Sequence, residues 1–414
     1  MSNQIEFDQL HNVMPEILGE VSKSNSSELL NCRLVSTSCY AQCETVLRAL
    51  WISLHNNSPK GVVDVVLNMG RIEKESPAEN YSALIKFKKL AHVFKKVGVD
   101  LPAVPLPTRT DDFQLLQNEI DDNAMKAVWG RLHNLFPAVP NVPPVNANVS
   151  EIRAFLNDPN NNAALAAPIE NLDLTGLNLI VVPPELERLS GLRLLDLSNN
   201  KLVQVPNFNL PHLTQLFLAN NQLAQVPNFD NLPNLTQLTL KNNQLVEVPN
   251  FSLLNLTCLS LANNRLAQVP NFNNLPNLTW LSLKNNQLAK LPNFNLPNLT
   301  QLAVENNQLI QVPNFNLLPA LTALGLQNNY LVEVPNFNLP NLTHLALHNN
   351  QLAQLPDFNL PHLTQLSLSN NQLRQVPNFN LPHLTHLSLN ENPLLELPSI
   401  ILLPNLTHLR LENN

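Results

Sequence analysis

Glycine and cysteine are both scarce in this chain, with 8 and 4 residues respectively in 414. So few glycines, none at phosphate-loop spacing, exclude a loop that cradles phosphate with backbone amides. The cysteines exclude a disulfide framework: Cys32, Cys39 and Cys43 share one N-terminal segment and Cys258 stands alone. They form no Cys-x-x-Cys pair and have no suitably spaced histidine, so they read as small apolar residues, not metal ligands. Charge is thin as well, at 13% of residues with a net charge of −7. From Leu192 onward 8 Lys/Arg face 9 Asp/Glu, and residues 1–191 carry 16 against 22. Neither part has the basic footprint of a nucleic-acid binder. No apolar run is long enough to span a bilayer, so no membrane role is expected. The opening MSNQIEFDQLHNVMPEIL has neither the basic nor the apolar stretch of a secretory signal. The expected compartment is a reducing cytosol, with the cytosol of a host cell as the alternative if a non-classical system exports the protein.

Proline is abundant, with 34 residues, and it is periodic. The period belongs to a unit, L-x-x-L-x-L-x-x-N-x-L-x-x-V/L-P, whose first leucine recurs at Leu192, Leu213, Leu235, Leu256, Leu278, Leu299, Leu321, Leu342, Leu363, Leu384 and Leu406. The spacing is 21 or 22 residues, which marks a solenoid of stacked coils and not a globule with one core. Within a unit such as LTQLTLKNNQLVEVPNF, Leu238 and Leu240 lie two apart and point to one side of a short strand, while Gln237, Thr239 and Lys241 point to the other. One such strand cannot bury its apolar side alone. Twelve units from Ile169, paired in parallel at about 4.8 Å, give a sheet about 55 Å along its arc.

Two further columns are structural. The ninth-position asparagine, from Asn200 to Asn414, can satisfy the backbone groups of a buried turn with one amide. The phenylalanines Phe208, Phe229, Phe251, Phe272, Phe294, Phe315, Phe337, Phe358 and Phe379 recur once per coil and predict a stacked aromatic spine in the convex half of the core. The proline-punctuated VPNFNLPNLT between strands is too short for a helix, so the convex side should be extended. Asn-x-Thr sequons such as Asn234 and Asn255 are by-products of the repeat.

These motifs resemble leucine-rich repeat proteins, and the short unit containing L-P is most similar to the bacterial class. The resemblance covers residues 169–414. It implies a concave strand face that binds a partner protein. Some bacterial repeat proteins of this kind carry a ubiquitin ligase domain after the repeats; the repeats here run to Asn414, so that activity is not expected of these residues.

On that face most outward positions are small or neutral. Phe217 and Trp280 stand out as aromatic anchors for a partner. Lys241 and Lys284 flank Trp280 and suit an acidic or mixed partner surface, and Glu305, His344 and His348 complete the expected contact set. His344 and His348 lie four apart in one extended segment, about 13 Å, too far for one metal ion. No nucleophile, base or carboxylate constellation at workable spacing is visible, so neither catalysis, cofactor nor metal is expected.

Residues 1–168 read as helical. Pro15, Ile17 and Leu18, then Leu29, Leu30 and Val35, then Leu50 and Trp51 mark three short amphipathic runs. In order, Met14-Pro15-Glu16-Ile17-Leu18, Leu29-Leu30, Arg33, Val35-Ser36 and Leu50-Trp51 resemble an F-box. Met14 stands where that pattern has leucine, and Cys39 where it has tryptophan. The resemblance implies docking on the small adaptor of a cullin-type ubiquitin ligase through Pro15, Ile17, Leu18, Leu29, Leu30 and Val35. Further on, Ser76-Pro77-Ala78-Glu79 starts a helix with a capping box. A longer helix is expected from Asp112 to Phe136 with Trp129 buried, and a short one from Ser150 to Leu156 capping the first repeat. LPAVPLP and PAVPNVPPV read as stiff linkers.

The expected architecture is an α-helical N-terminal region plus a leucine-rich repeat solenoid, with a parallel β-sheet on the concave face and a mostly extended convex side. Its expected segments are 1–55 (F-box-like), 56–145 (helical with proline-rich linkers), 146–168 (cap) and 169–414 (repeats). The expected function is protein recognition as a substrate adaptor for a cullin-type ubiquitin ligase. The alternative is a repeat-based binding effector or scaffold with no ubiquitin role.

Overall fold

The computed structural model describes residues 110–136, 139–161, 165, 169–396 and 402–414. The F-box-like segment, the helix expected after Ser76 and the linker 101–107 lie outside the described residues. Contacts divide the chain into two units, Met1–Asn123 and Ala124–Asn414, and the repeats all belong to the second.

Helix α1 spans Thr110–Leu132 and continues as a 3₁₀ turn to Leu135. Trp129 is fully buried, packed edge-on to Phe155 at 5.7 Å and stacked on Phe136 at 6.3 Å. Its indole N–H donates to the Pro144 carbonyl at 3.1 Å, which satisfies the one polar atom of a buried ring. Pro144, in the proline-rich stretch that reads as a stiff linker, thus lies against Trp129. Helix α2, Val149–Asn157, starts where the Asn148 side chain accepts from the Glu151 amide at 2.9 Å. Arg153 reaches Glu185 at 3.0 Å, tying α2 to the 3₁₀ turn Pro184–Arg188.

Twelve three-residue strands follow in one sheet, each parallel to the next in chain order. They are β1 (Asn171–Asp173), β2 (Leu194–Asp196), β3 (Gln215–Phe217), β4 (Gln237–Thr239), β5 (Cys258–Ser260), β6 (Trp280–Ser282), β7 (Gln301–Ala303), β8 (Ala323–Gly325), β9 (His344–Ala346), β10 (Gln365–Ser367), β11 (His386–Ser388) and β12 (His408–Arg410). Leu238 pairs with Leu216 and Leu259, and the same register holds along the sheet. Leu235, Leu238, Leu240, Leu245 and Phe251 of one coil are all fully buried. The leucine register therefore stands as the repeat predicts.

The asparagine column behaves as expected. The Asn243 amide donates to the Leu218 and Leu240 carbonyls at 2.9 and 3.0 Å, and its oxygen accepts from the Leu223 amide at 3.0 Å. The asparagine before it does something the repeat did not reveal. Asn199, Asn220, Asn242, Asn263, Asn285, Asn306, Asn328, Asn349 and Asn370 have φ between 52° and 57°. Asparagine tolerates this left-handed turn better than other side chains. Most of these amides donate to the equivalent oxygen of the preceding coil, as Asn306 does to Asn285 at 2.6 Å.

The phenylalanine spine is present, with Phe229 stacked on Phe251 at 6.3 Å and Phe337 between Phe315 and Phe358 at 5.9 and 6.0 Å. The 22-residue coils that begin at Leu213, Leu256 and Leu299 carry Phe229, Phe272 and Phe315 at φ of 57°, 54° and 55°. The extra residue is absorbed there by a left-handed turn at a bulky side chain. That conformation is unfavourable and is held by the ring's complete or nearly complete burial.

Candidate functional site

The concave face is built from the outward residues of each strand and the residue two positions beyond. A groove of about 440 Å³ runs along it from Trp280 on β6 to Arg410 on β12. Its floor between these ends is small: Ala303, Ala323, Gly325 and Ala346. Small residues here leave the strand backbone close to whatever lies in the groove.

Of the residues singled out from sequence, Trp280, Glu305 and His344 line this groove. Trp280 is half-buried and His344 exposed. Phe217 and Lys241 stand outside it, on coils nearer the N-terminus; β3 is about 14 Å from β6 at strand spacing. Lys284 is not a free cation: its ammonium lies 3.8 Å from Glu305 Oε1. His348 is half-buried, with Nδ1 3.0 Å from Ser367 Oγ, and burial pushes its pKa below the ordinary histidine value. It therefore tends to stay neutral. Cys258 is a half-buried free thiol whose pKa burial pushes up, which disfavours the reactive thiolate.

Outward does not mean accessible on this face. Ser260, Ser282 and Ala262 are only 6%, 1% and 1% exposed. Strands about 4.8 Å apart leave less room than tryptophan, lysine and glutamine side chains occupy, so larger neighbours cover the small ones.

The histidines at the C-terminal end share one geometry. Thr343, Thr385 and Thr407 each donate their only hydroxyl hydrogen to a carbonyl of the preceding coil, at 2.9–3.0 Å. The same hydroxyl oxygens lie 2.8–2.9 Å from Nδ1 of His344, His386 and His408, so Nδ1–H must be the donor there. On a neutral ring this tautomer leaves Nε2 as the acceptor. The His386 and His408 rings stack in parallel at 4.2 Å. Among the described residues no group of three or more His, Cys, Asp or Glu side chains gathers around a common point.

One flank carries a second kind of surface. Threonine hydroxyls from Thr214 to Thr407 each donate to the preceding coil, beside sequon asparagines such as Asn255, whose amide donates to the Pro233 carbonyl at 2.9 Å. Sequence reasoning missed this role, and it also missed Gly325 and Gln327. The signal for Gly325 was its position: among the described strands it is the only glycine.

Coiled stacking of this kind, with a leucine core, an asparagine ladder and a parallel concave sheet, defines a leucine-rich repeat protein. A family model described as the leucine-rich repeats of leucine-rich repeat and WD repeat-containing protein 1 matches residues 159–252. Among solved structures the chain is similar to a leucine-rich repeat protein of Leptospira interrogans, at 28% identity over 63% of this chain and 82% of that one, with a TM-score of 0.48. It is similar to InlP of Listeria monocytogenes at 30% identity over 57% and 67%, with a TM-score of 0.48. It is also similar to YopM of Yersinia enterocolitica, at 26% identity over 69% and 71%, with a TM-score of 0.41. No curated protein matches the sequence. Among the described residues no helix is long and apolar enough to cross a membrane.

Proposed function

We propose that the protein is a recognition module whose concave face, from Trp280 to His348, holds a partner protein. The observation that carries this reading is Trp280, a half-buried indole at the end of a groove floored by alanine and glycine. A large aromatic beside a small-residue floor supplies an anchor on one side and close backbone approach on the other. Phe217 and Lys241 would extend the contact over the coils nearer the N-terminus. Affinity purification from a eukaryotic lysate identifies the partner, and purified components then test the anchor. Trp280→Ala should weaken the complex by about 2 kcal/mol or more. An unchanged affinity by titration calorimetry removes Trp280 from the contact.

The finer reading is a substrate adaptor for a cullin-type ubiquitin ligase. It is supported by the sequence alone, in which Pro15, Ile17, Leu18, Leu29, Leu30 and Val35 follow one another as in an F-box. The full chain should then retain the ligase's small adaptor in a pull-down and lose it when residues 14–51 are deleted. Absence of retention, or retention that survives the deletion, leaves the repeat face acting as a binding effector without ubiquitin.

A further inference from the structure

The centre of the concave groove holds two side-chain oxygens, Glu305 Oε2 and Gln327 Oε1, that no hydrogen bond satisfies. A Cβ built on Gly325 would lie 3.1 Å from Glu305 Oε2 and 3.2 Å from Gln327 Oε1, so both oxygens lean over the one glycine of the described strands. Both atoms are buried and neither has a hydrogen-bond partner. In the same row of the sheet, Ser282 pairs with Ala303 and Ala303 with Gly325. Ser282 is 1% exposed and its hydroxyl also lacks a partner.

Buried acceptors without donors are costly, and a carboxylate oxygen can only accept. Lys284 approaches the other carboxylate oxygen, Oε1, and leaves Oε2 to a second cation. One carboxylate and one amide oxygen make a poor metal site. They suit a flat group that sends N–H bonds in two directions at once. A guanidinium does this with five donors in a rigid fork, whereas an ammonium is a single point of charge. Trp280, two strands away at about 10 Å, is placed to cover the aliphatic stem of such a side chain.

We propose that Gly325, Glu305 and Gln327 form a socket for an arginine side chain of the partner protein. The socket presupposes that the concave face is the binding face, and it specifies what that face selects.

The full chain labelled with 5-fluorotryptophan tests it. Its Trp280 resonance is assigned by its loss in Trp280→Phe. Titration with N-acetyl-arginine amide should move that resonance to saturation. N-acetyl-citrulline amide, which has the same shape without the charge, should bind at least about tenfold more weakly. Glu305→Gln should weaken the arginine compound by a similar factor, and Gly325→Ala should abolish its effect by filling the floor. Equal response to both compounds, no response to either, or an arginine response unaltered in Glu305→Gln overturns the socket. Glu305 is outside the leucine core, so that variant stays informative if Gly325→Ala does not fold. Against the purified partner the two ideas separate. A complex weakened by Trp280→Ala but indifferent to Glu305→Gln rejects the socket and keeps the face. A complex indifferent to both rejects the face as well.

Discussion

Replacing Asn286 with alanine should cost about 3–5 kcal/mol of stability at the junction between its coil and the one before. Its amide donates to the Leu261 and Leu283 carbonyls at 3.0 and 2.9 Å, and its oxygen accepts from the Leu266 amide at 3.0 Å. All these groups are buried, so truncation leaves donors and acceptors unpaired at about 1–3 kcal/mol each. The effect should be local, because coils in a solenoid lean chiefly on their neighbours and long arrays do not melt as one unit. Hydrogen exchange is therefore the measurement. The amides of Leu266 and of the adjoining strands should lose protection while those near β2 keep theirs. A loss below about 1 kcal/mol would mean that water or a rearranged turn replaces the ladder.

Phe337→Ala is expected to cost about 3–5 kcal/mol. The ring is fully buried between Phe315 and Phe358, so its removal opens a cavity in the convex half of the core and breaks two stacking contacts. Phe337→Leu should cost about 1.5 kcal/mol or less, because most of the volume remains. Denaturant titrations of both variants give the comparison. Equal losses would show that the cost comes from ring stacking and not from the void.

Much of this architecture was legible in the repeat, and the reason is physical. Leucines two apart in a strand have one way to be buried, and a polar amide recurring beside them must serve the backbone. Leu238 and Asn243 therefore behave as their spacing predicts. The preceding asparagines did not disclose their left-handed turn, because Asn-Asn reads alike at both positions and only the backbone tells them apart. The threonine hydroxyl chain was hidden in the sequon pattern. The left-handed Phe272 was hidden too, since nothing in the letters says where a 22-residue coil takes up its extra residue. The site was less legible than the fold. Trp280 announces itself by size, but Lys284 reads as a free cation until Glu305 is seen beside it. Gly325 gains meaning only from two side chains that lean over it.

The side-chain bonds between coils have a direction. The amides of Asn286 and Asn306 and the hydroxyl of Thr300 all reach back toward the N-terminus, and most coils make the same bonds. Every junction of this kind is chemically interchangeable, so whole coils can be gained or lost without inventing new joints. Removing one coil between Trp280 and His386 would bring those two landmarks closer by one fixed step of about 4.8 Å. The length of the concave face is thus adjustable in whole increments, one coil at a time.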